Sequence, residues 1–193
     1  MRKSENGIII QREGALRQGL LDFIATLPDV KGMRMIEVGS YAGESAEMFA
    51  ESGKFSEIVC IDPWQAGYDD ADEASRSNMA AAEAAFDRVA RRYPRIITKY
   101  KGTLAEFRKA HPDFCADIVY IDACHTYEGC KADIVEALKL EPKIIAGHDY
   151  AHWCEGVVRA VDEVLGKPQM RFQDGSWMFN LKLYPQQNKE QKP

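Results

Sequence analysis

MIEVGSYAGES, Met35 to Ser45, runs a short apolar strand into an acid, then into two glycines and the start of a helix. Glu37 ends the strand, Gly39 lets the backbone turn where a Cβ would collide, and Gly43 lets a ligand and the next helix approach closely. Such a turn holds a nucleotide-like ligand. A pyrophosphate loop presents helix-terminal N–H groups, and a carboxylate at its mouth would set anion against anion. Glu37 therefore points to a ligand with a cationic or hydroxyl-rich end. The competing reading is an ordinary glycine-containing βα turn.

Outward from this turn the chain alternates. Before it, Ala15, Leu16, Gly19, Leu20, Phe23, Ile24 and Leu27 recur at three- and four-residue steps, which predicts an amphipathic helix over about 11–27, ended at Pro28. After it, strands are expected over 57–62, 96–100, 117–122 and 143–147. Helices are expected over 43–52, about 73–93, 103–110, 127–138 and 156–165. Residues 170–173 and 177–184 then form two strand candidates around Asp174, Gly175 and Ser176, the chemistry of a hairpin turn. A parallel sheet would thus finish in an antiparallel pair. The polar end of the chain, 185–193, reads as a disordered tail.

The 193 residues suffice for one α/β domain, 1–184, and not for two. A net charge of -5, with lysines and arginines scattered among acids, argues against a nucleic-acid partner. No apolar run reaches membrane-spanning length, and MRKSENGIIIQREG lacks the apolar core of a signal peptide, so a cytoplasmic protein is expected. The five cysteines, an odd set without a CxxC pair, read as reduced thiols.

In an open α/β sheet with right-handed crossovers, ligands gather at the carboxyl ends of the strands. Those positions hold Glu37 and Gly39, then Asp62 with Pro63 and Trp64, then Gly102 and Thr103, then Asp122 and His125, then His148, Asp149 and Tyr150. Asp62 suits ribose hydroxyls, because a carboxylate accepts two hydrogen bonds from a vicinal diol; the alternative is a helix cap or surface acid. Trp64 either stacks on a base or plugs the sheet edge. The segments DIVYIDACHTYEG and KIIAGHDYAHW each deliver Asp and His to the same rim. Asp122 and Asp149 could converge on a hard cation such as Mg2+ that orients a substrate hydroxyl, with His125 or His148 taking the proton. Each acid could equally cap a helix or bind loop amides. Zinc is a weaker reading, since Cys124, His125, Cys130, His148, His152 and Cys154 match no closed zinc spacing. There is no GxSxG nucleophile elbow.

These residues resemble class I S-adenosylmethionine-dependent methyltransferases, and within them small-molecule O-methyltransferases related to macrocin O-methyltransferase and the cephalosporin-hydroxylase-like proteins. EVGSYAGES is similar to the first motif, CIDPW to the acidic second, and VYIDACHTYEGCKADI with IIAGHDY to the most specific pair. The resemblance covers about 34–166. It implies a Rossmann-like, doubly wound seven-stranded sheet of order 3-2-1-4-5-7-6, strand 7 antiparallel, with helices on both faces. It further implies S-adenosylmethionine as donor, with Glu37, Gly39, Ser40 and Gly43 along the methionine, Asp62 at the ribose, and Gly102 and Thr103 bordering the adenine. Asp122, His148 and Asp149 fall where metal-dependent relatives bind Mg2+, although imidazole at 148 departs from an all-oxygen set. Methyl transfer needs sulfur, methyl and acceptor oxygen in line and a group to take the proton. That places the chemistry at Asp122, His125 and Asp149, with His125 as base.

Two other functions compete: a nicotinamide-dependent oxidoreductase, disfavoured because GSYAG lacks GxGxxG order, and a non-catalytic nucleoside-binding module. A small-molecule acceptor is expected. Its pocket would draw on the segment before the first strand, the 63–78 loop and the residues 152–155, and the short N-terminal region suggests a homo-oligomer that completes it.

Overall fold

The computed structural model describes residues 4–5, 7–69 and 72–182. The expected tail 185–193, the last residues of the strand expected to reach Tyr184, and Asp70 of the 67–70 loop lie outside them.

Seven strands build the sheet: β1 (Met33–Val38), β2 (Phe55–Asp62), β3 (Ile97–Lys101), β4 (Ile118–Ile121), β5 (Ile144–Gly147), β6 (Met170–Arg171) and β7 (Trp177–Asn180). Their spatial order is 3-2-1-4-5-7-6. The first five run parallel, and β7 lies antiparallel to both β5 and β6. This is the Rossmann-like sheet expected from the sequence. The helices are α1 (Gly14–Thr26), α2 (Glu44–Glu51), α3 (Met79–Arg92), α4 (Leu104–Ala110), α5 (Tyr127–Leu138) and α6 (Glu155–Val164).

Period-two alternation sorts the strand residues between two cores. Met35, Cys60, Tyr120, Ala146 and Met178 face one layer with Leu20, Phe23, Phe49 and Phe86, from α1, α2 and α3. Ile36, Val38, Ile61, Val119, Ile121 and Trp177 face the other with Leu104, Ile134 and Val161, from α4, α5 and α6. The central strands β4 (IVYI) and β5 (IIAG) read as unbroken apolar runs because both faces are covered.

Three local readings change. The helix expected over 73–93 is broken: a 3-10 turn, Ala74–Arg76, precedes α3, and Ser77 between them is extended. Asn78 causes the break, its side chain accepting from the Ala81 amide at 3.0 Å as the cap of α3. The hairpin strands are short, Met170–Arg171 and Trp177–Asn180. Finally, α1 begins at Gly14, and before it Ser4–Glu5 pairs antiparallel with Ile8–Ile9. The residues between that pair and α1 cross the sheet's carboxyl rim.

Candidate active site

Three of the four non-glycine residues with positive φ among the described residues, Tyr41, Trp64 and Asp149, stand on this rim. Strained backbone concentrated at strand ends is a feature of functional sites.

The glycine turn packs directly on the next element. Gly39, at φ +89°, donates to the Ile61 carbonyl at 2.8 Å, and a Cβ there would overlap the Asp122 carbonyl. Gly43 caps α2 at φ +86°. Ser40 donates to Glu37 at 2.6 Å. Glu37 itself is fully buried beneath the turn, with Oε1 unpartnered among the described residues. Burial raises its pKa against the opposing hydroxyls of Ser40 and Ser45. Glu37 thus braces the turn from below, while Gly39, Ser40 and Ser45 line the cavity above it.

Asp62 accepts from the amides of Tyr41 (2.9 Å) and Trp64 (2.6 Å), each oxygen keeping a lone pair for a ligand. Burial raises its pKa, opposed by those two amides. It borders both the narrow cavity above the turn, about 50 Å³, and an apolar cavity of about 360 Å³ formed by Val38, Ile61, Gly102, Leu104 and Ala132. Thr103 also borders the apolar cavity, but its hydroxyl is committed to a capping box with Glu106 at the start of α4. Trp64 is buried against Phe86, ring centroids 5.0 Å apart, so the packing role holds.

At the other end of the rim four titratable groups converge. One oxygen of Asp149 lies 2.9 Å from His148 Nδ1 and 2.9 Å from His125 Nε2. Burial would raise the Asp149 carboxyl, but the imidazoles of His148 and His125 outweigh it and hold it well below the usual carboxylate range. Burial would lower the His125 pKa; its bond to Asp149 and the charges of Asp149, Asp122 and Asp72 prevail and raise it to about 9. The His125 amide donates to Asp69 at 3.1 Å, and Gly156 leaves room for its carbonyl against α6. His125 and Asp149 line both the narrow cavity and a wider one of about 510 Å³ that reaches Trp153 and Glu155.

Sequence reading missed three residues here. Arg12, from the segment crossing the rim, pairs with Asp122 through Nη2 and lies 4.0 Å from Asp174 through Nη1, its side chain 3 % exposed. Asp174, read only as turn chemistry, is fully buried and lies 3.7 Å from His148 Nε2. Asp133 of α5 borders the apolar cavity, where burial and Glu136 push its carboxyl up to about 6. An acid on an amphipathic helix gave no signal, and Arg12 reaches its partner across 110 positions of sequence.

Asp122, His148 and Asp149 each offer one donor atom, all within 4.8 Å of one another, the set that the resemblance assigns to Mg2+. The Arg12 guanidinium already neutralises Asp122, and burial, which would lower its pKa, is outweighed by Asp122, Tyr120, Asp174 and Asp149, so it stays charged. A dication on these atoms would share Asp122 with the guanidinium already paired to it, and like-charge repulsion would offset part of what the two carboxylates gain. With Arg12 in place and imidazole as one of three donors, the set is a poor fit for a hard divalent cation. The cysteines form no disulfide and no ligand cluster among the described residues.

A methyltransferase-domain family model matches residues 36–150. Among curated proteins none matches by sequence. Solved structures share the fold. An O-methyltransferase from Bacillus cereus in complex with S-adenosylhomocysteine superposes at TM-score 0.52 and 14% identity, over 86% of this chain and 89% of that one. A ribosomal protein L11 methylase from Lactobacillus delbrueckii gives 0.55 and 16%, over 84% and 75%. A SAM-dependent O-methyltransferase from Thermotoga maritima gives 0.53 and 12%, over 76% of this chain and 49% of that one, so this chain spans about half its length. Among the described residues no helix is long and apolar enough to cross a membrane. The matched residues run from the glycine turn through GHDY, and on that span and this sheet order the chain belongs to the methyltransferase-domain family, with the class I S-adenosylmethionine-dependent fold.

Proposed function

We propose that the chain moves the methyl group of S-adenosylmethionine to a hydroxyl of a small-molecule acceptor, with His125 taking the proton. The observation that carries this reading is the position of His125 and Asp149 on the wall between the donor-side cavity and the wider one. A base must reach the acceptor oxygen while that oxygen faces the sulfonium carbon, and this wall is where both conditions meet.

In this reading the adenine enters the apolar cavity, bordered by Gly102, Thr103 and Asp133, and the ribose hydroxyls take the remaining lone pairs of Asp62. The methionine end lies along Gly39, Ser40 and Gly43 toward Asp122, with Glu37 supporting the turn. The sulfonium methyl is activated already, so the protein's work is alignment and proton removal. Asp149 orients the His125 ring and stabilises it once protonated. The acceptor cavity is bordered by Asp69, Asp72, Glu73 and Glu155, which favours a neutral or cationic acceptor over an anionic one.

His125 carries a proton in the resting protein at neutral pH, so the fraction competent as base grows toward pH 9. The kcat/KM profile is expected to rise with pH to a plateau near that value. His125→Asn should lower kcat by roughly 10²–10⁴-fold and remove this limb, with the affinity for S-adenosylhomocysteine unchanged by calorimetry. An unaltered pH profile in the variant would refute His125 as the base. Binding of NAD in place of S-adenosylhomocysteine would refute the whole reading.

A further inference from the structure

The pairing of Arg12 with Asp122 changes how charge is supplied at this rim. Arg12 does not arrive by chance. The Gln11 amide donates to Glu44 Oε2 at 2.7 Å and the Arg12 amide to Glu44 Oε1 at 3.4 Å, so the first turn of α2 fixes the backbone that carries the guanidinium. Its other flank is Asp174, itself held by the Ser176 amide at 3.0 Å and the Ser176 hydroxyl at 2.8 Å. Gly19 of α1 leaves room for Asp174, where any Cβ would overlap it. Three separate elements thus build a cradle of two acids around one arginine.

Two nitrogens of the cradle, Arg12 Nε and His148 Nε2, are buried without a hydrogen-bond partner among the described residues, although His148 Nε2 lies 3.7 Å from Asp174. Both residues line the narrow cavity. Unpartnered nitrogens of this kind are costly unless a ligand meets them.

We propose that Arg12 supplies the fixed positive charge that a divalent cation would otherwise bring to Asp122, His148 and Asp149, so that this methyltransferase works without a metal. Arg12 is then a positioning residue: it neutralises Asp122, holds its carboxylate in one orientation beside His148, and presents a permanent positive field to the acceptor oxygen as that oxygen loses its proton. A guanidinium keeps its charge across the working pH range and is not removed by chelation. The proposal deepens the functional reading above and rests on this rim being the reaction site.

The test is metal binding, read independently of turnover. Mn2+ alone is titrated into the purified chain with free Mn2+ followed by electron paramagnetic resonance, alongside the same titration of Arg12→Met and Arg12→Lys. The expected result is no stoichiometric site in the wild type or in Arg12→Lys. Arg12→Met, freed of the cation, should gain one site at least about tenfold tighter than anything in the wild type, and Asp122→Asn added to it should abolish that site. A stoichiometric wild-type site lost on Asp122→Asn would overturn the proposal, as would a folded Arg12→Met that gains none. Arg12→Gln replaces Arg12→Met if the latter fails to fold, and if neither folds the wild-type titration decides alone. S-adenosylhomocysteine is titrated in parallel: its failure to bind would refute the donor reading and leave the metal result legible.

Discussion

Asp133 shows how a single residue can carry a cost to the fold and a use to the site. Its carboxyl, pushed up to about 6 by burial first and by Glu136 second, is uncomfortable as an anion in an apolar cavity. The folded pKa lies above the ordinary aspartate value of 3.8, so the folded state loses stability as pH rises through about 6. Asp133→Asn should therefore raise the stability at pH 8 by about 1–3 kcal/mol in urea unfolding. It should also weaken S-adenosylhomocysteine, because an acceptor for the exocyclic amine becomes an ambivalent amide. A variant that is neither more stable nor weaker in binding would remove Asp133 from the donor site. The contrast with Asp122, His125, His148 and Asp149 is instructive. Those four were legible because each sits at or just after the end of an apolar strand, where period-two burial stops and the rim begins. Asp133 sits mid-helix among residues that look solvent-facing, and only the cavity reveals what it borders.

Among elements, the break before α3 has the clearest energetic consequence. The apolar residues on either side fit one helical period, so the sequence reads as a single helix; the side chain of Asn78 competes for the local amides and wins. Its bond to the Ala81 amide is exposed and serves one helix terminus, so Asn78→Ala should cost about 1 kcal/mol and lower the melting temperature by roughly 2–4 °C in calorimetry. The product affinity should hold. The α5 limits agree with the sequence reading, and in the structure Thr126 caps its start, accepting from the Gly129 amide. The segment before α1 was illegible. It carries no period of its own, and what fixes it is Glu44 of α2, more than thirty positions away.

For the whole molecule, the burial of charge sets a direction in pH. Asp149 is held low by its imidazole neighbours against the effect of burial, so its contribution is present at neutral pH and lost on acidification. His125 is held high, against the effect of burial, by Asp149, Asp122 and Asp72; its contribution is complete below 6.5 and disappears as pH rises through about 9. Stability should therefore peak on the slightly acidic side of neutral. Between pH 6.5 and 9 it should fall by about 2 kcal/mol, or roughly 4–8 °C in melting temperature. Scanning calorimetry across that range checks this, and His125→Asn should flatten the slope. An equally steep fall in the variant would show that other groups set it.

The shared wall of His125 and Asp149 has a consequence for how such a protein changes over generations. In the proposed reading the donor lies on one side of it, and the wider cavity on the other is lined by Trp153, Cys154 and Glu155, at the entry to α6. On that reading, mutations there would alter what is offered to the sulfonium carbon without touching the turn, Asp62 or His125. Acceptor range can drift while the common half of the reaction stays under unchanged selection, and diversification of this chain should be written mainly into those few positions.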